Sequence, residues 1–398
     1  MVLDGKITCP FCFEKFNPQN VHFRCINPLC SGTAEDTKYA NARAIPARRD
    51  GHVFGIEKAS NAKTSGTARS ADCPVCYKAS DTRLCPECHF ELSHDIGQIP
   101  QRVIAVVGGA LTGKSHYIAA VISALRNEVG ENLKLAVRLL GDETQIRWEQ
   151  DFYRPLFERK IQLSVTQPGL VDARVKVPLA LRFTSYGGLV KQIFNVSIFD
   201  SSGEDMTRTR TLTAQAGGSL AHADGVIFMI DPLQLDTVCQ QLNITPPRSD
   251  PQAHPERILE RLIELFERRH GFHPLSRFGV ANKIDVPIAI ALSKVDALSS
   301  IIDPGSPLNI AGEHHSALNL TDAQSVSTEV SRYLRKWIGT NFCNNIETSF
   351  SNFQYFGVSS LGHQPDAQHP VVTNPLRVED PFLWLLYKTN LVKGKKIR

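Results

Sequence analysis

This sequence has no long hydrophobic run and little net charge. Its apolar stretches, such as IAIAL at residues 288–292, are far shorter than the ~18 residues that a membrane-spanning helix needs. The first residues, MVLDGKITCPFC, lack the apolar segment of a secretory signal. A net charge of +4 over 398 residues is too small to indicate a nucleic-acid or membrane partner. We therefore expect a cytoplasmic protein.

Cysteine is abundant, and its distribution is uneven. Eight of the ten cysteines fall before residue 90 in close pairs. Because disulfides are rare in the cytosol, close pairs there indicate metal binding. Four thiolates complete the tetrahedral shell of Zn²⁺ and leave no open position, so we expect two structural zinc ions. The expected ligands are Cys9, Cys12, Cys25, Cys30, Cys73, Cys76, Cys85 and Cys88.

The order of these cysteines favours one ion for the first four and one for the last four. The last four form C-x2-C-x8-C-x2-C, which is typical of a zinc ribbon. An alternative stays open, in which the first and third pairs share an ion, because connectivity does not follow from sequence. A redox-active pair is less favoured, since it needs a βαβ context. The other two cysteines, Cys239 and Cys343, are expected to be buried thiols.

Between the cysteine modules the composition changes. Residues 32–68 are rich in small and polar residues, and residues 38–69 carry seven Lys and Arg against two acids. This composition predicts a solvated linker. A basic arm that contacts nucleic acid or acidic lipid is the alternative. The expected organisation is a first zinc-binding module, a basic polar linker, a zinc ribbon and a nucleotide domain, at residues 1–31, 32–68, 69–97 and 98–398.

Residues 102–129 combine an apolar run, a glycine-rich turn and a helical pattern that Gly130 would end. The turn carries G-x-x-x-x-G-K-S, the phosphate-binding P-loop. Backbone N–H groups and the helix N-terminus bind phosphate oxygens. Lys114 would reach the β- and γ-phosphates, and the Ser115 hydroxyl would ligate Mg²⁺. The expected phosphate-binding residues are Gly108, Gly109, Thr112, Gly113, Lys114 and Ser115.

A second phosphate motif follows a predicted hairpin. Strand patterns at residues 177–183 and 192–200 are separated by a short polar and glycine segment. The second strand ends in D-S-S-G. Asp200 would hold Mg²⁺ through water, and the Gly203 N–H would bind the γ-phosphate. After a P-loop and a buried strand, this motif indicates a nucleoside triphosphatase.

Four nearby residues are weaker candidates. Glu204 stands where some GTPases carry the glutamine that orients the attacking water, although an exposed residue without a catalytic role is equally compatible. Thr166 is the candidate switch threonine for Mg²⁺, or an ordinary loop residue. Arg208 and Arg210 would neutralise transition-state charge, although a solvated helix face explains them as well.

Two segments compete for reading the base. The usual guanine reader is Asn/Thr-Lys-x-Asp, whose carboxylate accepts two hydrogen bonds from guanine while the lysine stem covers the ring. N-K-I-D at residues 282–285 matches the letters better but follows only a short apolar run. S-K-V-D at residues 293–296 follows the strong strand pattern VPIAIAL. We therefore favour Ser293, Lys294 and Asp296.

The C-terminal part completes the pattern. Residues 355–358 predict a strand that leads into Ser359 and Ser360, where a backbone N–H would meet guanine O6. Residues 255–269 predict an amphipathic helix, and residues 380–391 a closing helix.

With these motifs in this order, residues 100–390 resemble the translation-factor-related (TRAFAC) class of GTPases. The segments DSSGED and ADGVIFMIDP resemble its double-GTPase-like branch from bacterial conflict and signalling systems, and zinc ribbons at the N-terminus are similar to domain fusions of that branch. The resemblance implies an α/β, three-layer P-loop NTPase fold with a mostly parallel sheet. It also implies GTP, Mg²⁺ and switch loops that respond to the nucleotide.

We therefore expect a slow GTPase switch whose zinc modules recruit a protein partner. Slow hydrolysis is expected because no glutamine stands at the catalytic position and the switch threonine is not clearly marked, while the departure at Ser293 concerns the base-reading motif. A nucleotide-regulated nucleic-acid-binding protein and a P-loop ATPase are the alternatives.

Overall fold

The computed structural model describes residues 6–43, 45–59, 69–164, 177–186, 191–200, 220–245, 254–270, 283–364 and 370–396. Within these ranges, every helix is too short or too polar to cross a bilayer.

The N-terminal region is built from short strands around the cysteines. Its elements are β1 (Ile7–Thr8), β2 (Lys15–Phe16), β3 (His22–Arg24), α1 (Thr37–Arg43), β4 (Val53–Gly55), β5 (Ala71–Asp72), β6 (Ala79–Ser80) and β7 (Arg83–Leu84). β1 pairs with β2, and β5 pairs with β6, as antiparallel hairpins. β3 lies between β4 and β7 in a three-stranded sheet. That sheet joins the early and late cysteine pairs into one packed unit.

The prediction of a solvated linker is wrong where residues 32–68 are described. This segment contains α1 and β4, and β4 pairs with β3. Asp36, at the start of the segment, accepts hydrogen bonds from Arg24 at 2.7 Å and from His89 at 2.6 Å. The composition of this segment does not reveal its structure, because the residues that hold it in place lie outside it.

The rest of the chain is organised around a seven-stranded sheet. The described strands of this part of the chain are, in order, β8 (Gln101–Gly108), β9 (Leu135–Leu139), β10 (Leu179–Ser185), β11 (Ile193–Asp200), β12 (Gly225–Ile230), β13 (Ile288–Leu292), β14 (Leu318–Asn319), β15 (Phe353–Gly357) and β16 (Gly394–Lys395). The sheet order is β15-β13-β12-β8-β11-β10-β9, whereas β14 and β16 pair separately. The first five strands of this order run parallel, and β10 is antiparallel to both of its neighbours.

Helices cover both faces of this sheet. They are α2 (Lys114–Arg126), α3 (Glu128–Asn132), α4 (Gly141–Arg147), which runs into a π-helical segment (Trp148–Glu158), α5 (Asp236–Leu242), α6 (Pro255–His270), α7 (Leu320–Trp337), α8 (Thr340–Ser349) and α9 (Glu379–Lys388). Buried side chains of α2, the π-helical segment and α9 pack on one face. Those of α5 to α8 pack on the other. The three-layer α/β fold is therefore confirmed.

Most predicted elements of this part are present. The hairpin is β10 and β11, the amphipathic helix is α6, and the closing helix is α9. One boundary is wrong: the first helix ends at Arg126, and Gly130 lies inside the short α3. A Cβ at Gly130 would lie 2.1 Å from the carbonyl oxygen of Leu125. The glycine therefore allows α3 to fold back against the end of α2.

Candidate nucleotide site and zinc centres

The candidate nucleotide site lies where parallel strands of the sheet end. β8 ends at Gly108 and β11 at Asp200, while Ser293 directly follows β13. The carboxyl ends of parallel strands lie at one edge, which is where α/β sheets bind ligands. A cavity of about 390 Å³ lies at this edge, a size typical of small-molecule sites.

The P-loop has the backbone geometry that its glycines permit. Gly113 adopts a left-handed conformation, with φ of 86°, directly before α2. A Cβ at Gly108 would lie 2.6 Å from the carbonyl oxygen of Met229, so the loop can pass this close to β12 only with glycine. Thr112 is buried, and its hydroxyl donates to the carbonyl of Gly109 at 3.0 Å. The loop is thus ordered against the sheet.

Lys114 is buried over the same loop. Its Nζ donates to the carbonyl oxygens of Gly108 at 3.1 Å and Gly109 at 2.8 Å. Burial lowers the pKa of Lys114 to about 8, against the opposing effect of the Asp200 carboxylate. The ammonium group is therefore held in a desolvated position in which an anionic ligand would favour its charged form.

The two candidate Mg²⁺ ligands lie side by side. The Ser115 hydroxyl donates to Oδ2 of Asp200 at 2.9 Å, although 85 residues separate them in the chain. Oxygen ligands of this kind are those that Mg²⁺ prefers, so the donor set fits the ion. Five other candidate residues lie outside the described part of the chain: Thr166, Gly203, Glu204, Arg208 and Arg210.

The favoured base-reading segment faces this cavity. Lys294, Asp296, Ser359 and Ser360 line it together with the P-loop. The Ser359 hydroxyl donates to Asp296, and Lys294 Nζ donates to Oδ2 of Asp231 at 2.7 Å. Ser293 is buried, and its hydroxyl donates to a carbonyl of β12 at 3.0 Å.

The competing segment lies at the opposite edge. Lys283 and Asp285 precede β13, whereas the P-loop follows β8, which is parallel to the same set of strands. Lys283 Nζ donates to the carbonyl of Glu347 at 2.7 Å, and Asp285 accepts from the Ser351 hydroxyl at 3.1 Å. Asn282 lies outside the described residues.

Three residues of the site were missed by the sequence reasoning. Gln234 donates to the P-loop carbonyl of Ala110 at 2.8 Å and to Asp231 at 3.2 Å, so it links the loop to the end of β12. His116 lines the cavity, and burial lowers its pKa to about 4. Asp231 could have been predicted, because it is an acidic residue directly after the apolar pattern of β12. No motif or spacing in the sequence indicates Gln234 or His116.

The eight cysteines form two groups of four. We name Cys9, Cys12, Cys85 and Cys88 the sheet-side cluster, and Cys25, Cys30, Cys73 and Cys76 the outer cluster. Within each group the sulfur atoms lie within 4.8 Å of one another. Hydrogen-bonded sulfur pairs are 3.7 Å apart in the sheet-side cluster, and 3.5 and 3.8 Å apart in the outer cluster. Tetrahedral Zn–S bonds of ~2.3 Å give about 3.8 Å between sulfurs, so both groups fit zinc.

The favoured sequential pairing is wrong, and so is the alternative in which the first and third pairs share an ion. The first pair joins the fourth, and the second joins the third. Antiparallel pairing of β3 with β7 is the reason, because it places Cys25 and Cys85 at opposite ends of the strand pair. The Ser80 hydroxyl also donates to the carbonyl of Arg24, which brings the β5–β6 hairpin to Cys25.

Three C-P-x-C turns share one backbone geometry, and we call each a zinc knuckle. The residue after the second cysteine has a positive φ and donates its N–H to the carbonyl of the first. This residue is Phe13 (φ 63°, 3.1 Å), Tyr77 (φ 58°, 3.0 Å) or His89 (φ 54°, 3.0 Å). Each knuckle therefore presents two sulfurs at one corner of its cluster. The remaining two cysteines, Cys239 and Cys343, are buried as predicted.

The sheet, the P-loop and the position of Asp200 define a protein of the P-loop GTPase class. Residues 102–363 match the sequence model of the family described as Double-GTPase 2. The chain therefore belongs to the Double-GTPase 2 family, as the resemblance in its motifs predicted.

Two further similarities span most of the chain. A protein of Mycolicibacterium smegmatis, named as an ESX-1 scaffolding and assembly protein, SaeC, is 24% identical over 402 residues, which cover 95% of this chain and 97% of that protein. The solved structure of the small GTPase Arl6 (BBS3) from Trypanosoma brucei, with bound GppNp, is 11% identical and covers 73% of this chain and 98% of its own, at a TM-score of 0.28. A TM-score of 0.28 does not support a conclusion about fold or function.

Proposed function

We propose that this protein is a GTP-binding switch with slow, Mg²⁺-dependent GTP hydrolysis. The observation that carries the proposal is the contact between Ser115 and Asp200 beside the buried Lys114. It joins the end of the P-loop to the start of the second phosphate motif. A switch needs this link, because the γ-phosphate and its metal must report to the loop after Asp200.

The proposed phosphate roles follow from charge and position. Lys114 and the P-loop amides would bind the β- and γ-phosphates. Ser115 and Asp200 would hold Mg²⁺, which when bound neutralises charge between the phosphate oxygens. Beyond the described residues we assign Thr166 to the metal and Gly203 to the γ-phosphate. We assign Glu204 to orienting the attacking water.

The proposed base is guanine. Asp296 lies in the cavity with its carboxylate already held by Ser359, which orients it. Lys294 is fixed through Asp231, so its stem can lie against a flat base. Ser293 and Ser360 complete the base-reading set. A P-loop ATPase is the alternative, and the experiment below distinguishes the two.

We infer that the partner is a protein. A relative spanning nearly the whole chain is named as a scaffolding and assembly protein. Basic side chains of the predicted linker are also engaged within the chain: Arg43 donates to Glu143, and Lys38 Nζ donates to the carbonyl of Pro86 at 2.6 Å. These contacts make that segment less suited to gripping nucleic acid. Two Zn²⁺ ions would give the N-terminal unit its folding energy.

The test is equilibrium binding of GTP, ATP and their non-hydrolysable analogues, with and without Mg²⁺. We expect GTP to bind more tightly than ATP by about 100-fold or more, because unpaired base-reading groups are costly. Lys114→Ala should abolish measurable binding of either nucleotide. Asp200→Asn should weaken the GTP analogue with Mg²⁺ but leave metal-free GDP binding nearly unchanged. Tighter binding of ATP would contradict the guanine assignment.

The pH dependence of binding tests the role of Lys114. In the free protein its pKa is lowered to about 8, and bound phosphate would raise that pKa again. Binding must then take up a proton above about pH 8, so GTP affinity should fall as the pH rises through this value. In Lys114→Arg the charge persists at all these pH values, so any remaining affinity should not fall there. A flat profile for the wild type would exclude this role.

A further inference from the structure

One zinc knuckle packs against β8 and β11 next to the candidate Mg²⁺ ligand Asp200. Phe13 follows Cys12 of the sheet-side cluster and is fully buried. It forms a small apolar group with Val103 of β8 and Phe199 of β11. The rings of Phe13 and Phe199 lie 5.9 Å apart in an edge-to-face arrangement, a favourable geometry for aromatic pairs.

Phe199 is the residue before Asp200. The Asp200 carboxylate accepts the hydroxyl of Ser115 in the P-loop. A displacement of Phe13 would therefore be transmitted through Phe199 to the adjacent Asp200, whose carboxylate is the candidate Mg²⁺ ligand. The path consists of packed side chains and one strand, which transmit displacement because protein interiors are dense.

The same knuckle also contacts the chain beyond the second phosphate motif. The carboxylate of Glu14 lies 3.7 Å from Nε2 of His222. Two residues later, Asp224 accepts the backbone N–H of Val103 at 2.8 Å, and Val103 packs against Phe13. The knuckle therefore contacts residues on both flanks of segment 201–219, which contains Gly203 and Glu204.

The outer cluster provides an internal comparison. Its Tyr77 occupies the position in its knuckle that Phe13 has in the first, with nearly the same φ. Yet Tyr77 is 72% exposed, whereas Phe13 is 0% exposed. Both clusters fit zinc, but among the described residues only the knuckle that ends in Phe13 packs against β8 and β11.

We propose that the sheet-side zinc cluster positions the GTP-sensing end of β11, so that zinc occupancy and nucleotide state are coupled. Phe13 and Glu14 are the positioning residues, and the outer cluster has no part in the coupling. The left-handed turn at Phe13 presents its ring to Phe199, and zinc bound to Cys9 and Cys12 would hold that turn in place. The inference rests on the proposed function, since it assigns a support to the same nucleotide site.

Coupling of this kind is reciprocal. If zinc in the sheet-side cluster favours the geometry that binds GTP and Mg²⁺, then the bound nucleotide must tighten zinc in that cluster by the same factor. The outer cluster should show no such effect. The proposal can therefore be tested by two measurements, one of nucleotide affinity and one of zinc affinity.

The first experiment compares Phe13→Ala with the matched control Tyr77→Ala in the full chain. Affinities of a non-hydrolysable GTP analogue and of GDP are measured with Mg²⁺, and each variant must retain two zinc ions. We expect Phe13→Ala to weaken the analogue by about tenfold and GDP by clearly less, because Asp200 senses the γ-phosphate side. Phe13→Leu should restore most of the affinity, and Tyr77→Ala should match the wild type.

The outcomes separate this inference from the proposed function. If the wild type binds no guanine nucleotide, the proposed function fails. If the wild type binds GTP and Phe13→Ala binds it equally well, only the coupling is refuted. An equal loss for the analogue and GDP would also overturn it, because a general structural defect does not distinguish the two nucleotides.

The second experiment does not depend on how well Phe13→Ala folds. Cys76→Ser disrupts the outer cluster and leaves the sheet-side cluster intact; Cys12→Ser does the reverse. The zinc affinity of each variant is measured by equilibrium competition with a chromogenic chelator, with and without the GTP analogue. We expect the analogue to tighten zinc binding about fivefold or more in Cys76→Ser and not at all in Cys12→Ser. Equal zinc affinities with and without analogue in Cys76→Ser would refute the coupling.

Discussion

Two segments of this chain have nearly the same letters and nearly the same local contacts. In S-K-V-D at residues 293–296, Asp296 accepts a hydrogen bond from the hydroxyl of Ser359, just after β15. In N-K-I-D at residues 282–285, Asp285 accepts one from the hydroxyl of Ser351, just before β15. The same arrangement therefore stands at both ends of the β13–β15 strand pair.

The segments differ in which edge of the sheet they occupy. S-K-V-D shares a cavity with the P-loop, whereas Lys283 of N-K-I-D donates to a carbonyl of α8. Position at the carboxyl ends of the strands therefore favours S-K-V-D as the candidate base reader, although its first residue departs from the usual motif. Four pairs of substitutions test this comparison.

The largest effect is expected for the two aspartates. Asp296→Asn should weaken GTP binding by about 100-fold or more and improve binding of xanthosine triphosphate, since the amide replaces an acceptor by a donor. Asp285→Asn should leave both affinities within about twofold of the wild type, because surface changes far from a site have small effects. The reverse result would identify N-K-I-D as the reader. Fluorescence titration with labelled nucleotides measures both.

The next largest difference, about tenfold, is expected between the two lysines. Lys294→Ala removes the stem that would cover the base and leaves the buried Asp231 without its cationic partner, which costs about 1.4 kcal/mol or a factor of ten. Lys283→Ala removes a bond to a carbonyl at the other edge, so GTP affinity should not change. Isothermal titration of both variants checks this difference. Equal losses would show that neither lysine reads the base.

The two serines test the orientation of each aspartate. Ser359→Ala removes the donor to Asp296 and should weaken GTP binding about fivefold, which corresponds to the net value of one hydrogen bond, about 1 kcal/mol. Ser351→Ala is the matched control and should bind like the wild type. The GTP-to-ATP preference of each variant should be recorded, since misorientation of Asp296 reduces that ratio. An unchanged ratio in Ser359→Ala would count against this role.

The smallest effect is expected at the residue that departs from the usual motif. Ser293→Thr keeps the hydroxyl that donates to the carbonyl of β12, so GTP affinity should stay within about twofold. Ser293→Ala removes that hydroxyl and should weaken binding more. If both variants bind alike, the serine hydroxyl has no part in holding the segment.

Much of the fold followed from local patterns. The P-loop, the β10–β11 hairpin, α6 and α9 were predictable because each depends on periodicity or on glycine within a short window. The end of α2 was misplaced because Gly130 serves a close contact with the end of that helix. The described part of the linker was missed because Asp36 is held by Arg24 and His89, which lie outside that stretch.

The residues of the candidate site also fall into two groups, those that local sequence patterns predicted and those that they did not. The residue types at Lys114, Ser115 and Asp200 were evident, because phosphate and Mg²⁺ need these groups after a strand. Gln234 was not, because its bond to Ala110 joins segments 124 residues apart in the chain. His116 was not either, because a histidine after a P-loop serine carries no signal of its burial. These roles arise only from long-range packing.

The sequence alone determined that the chain has a P-loop, eight paired cysteines and a second phosphate motif after a strand, because these features are local and their chemistry is set by residue type. Only the tertiary structure decided which cysteines share a cluster and which candidate base-reading segment lines the cavity with Lys114. Antiparallel pairing of β3 with β7 separated the two clusters. Strand direction decided the second question, since it assigns each end of β13 to an edge of the sheet.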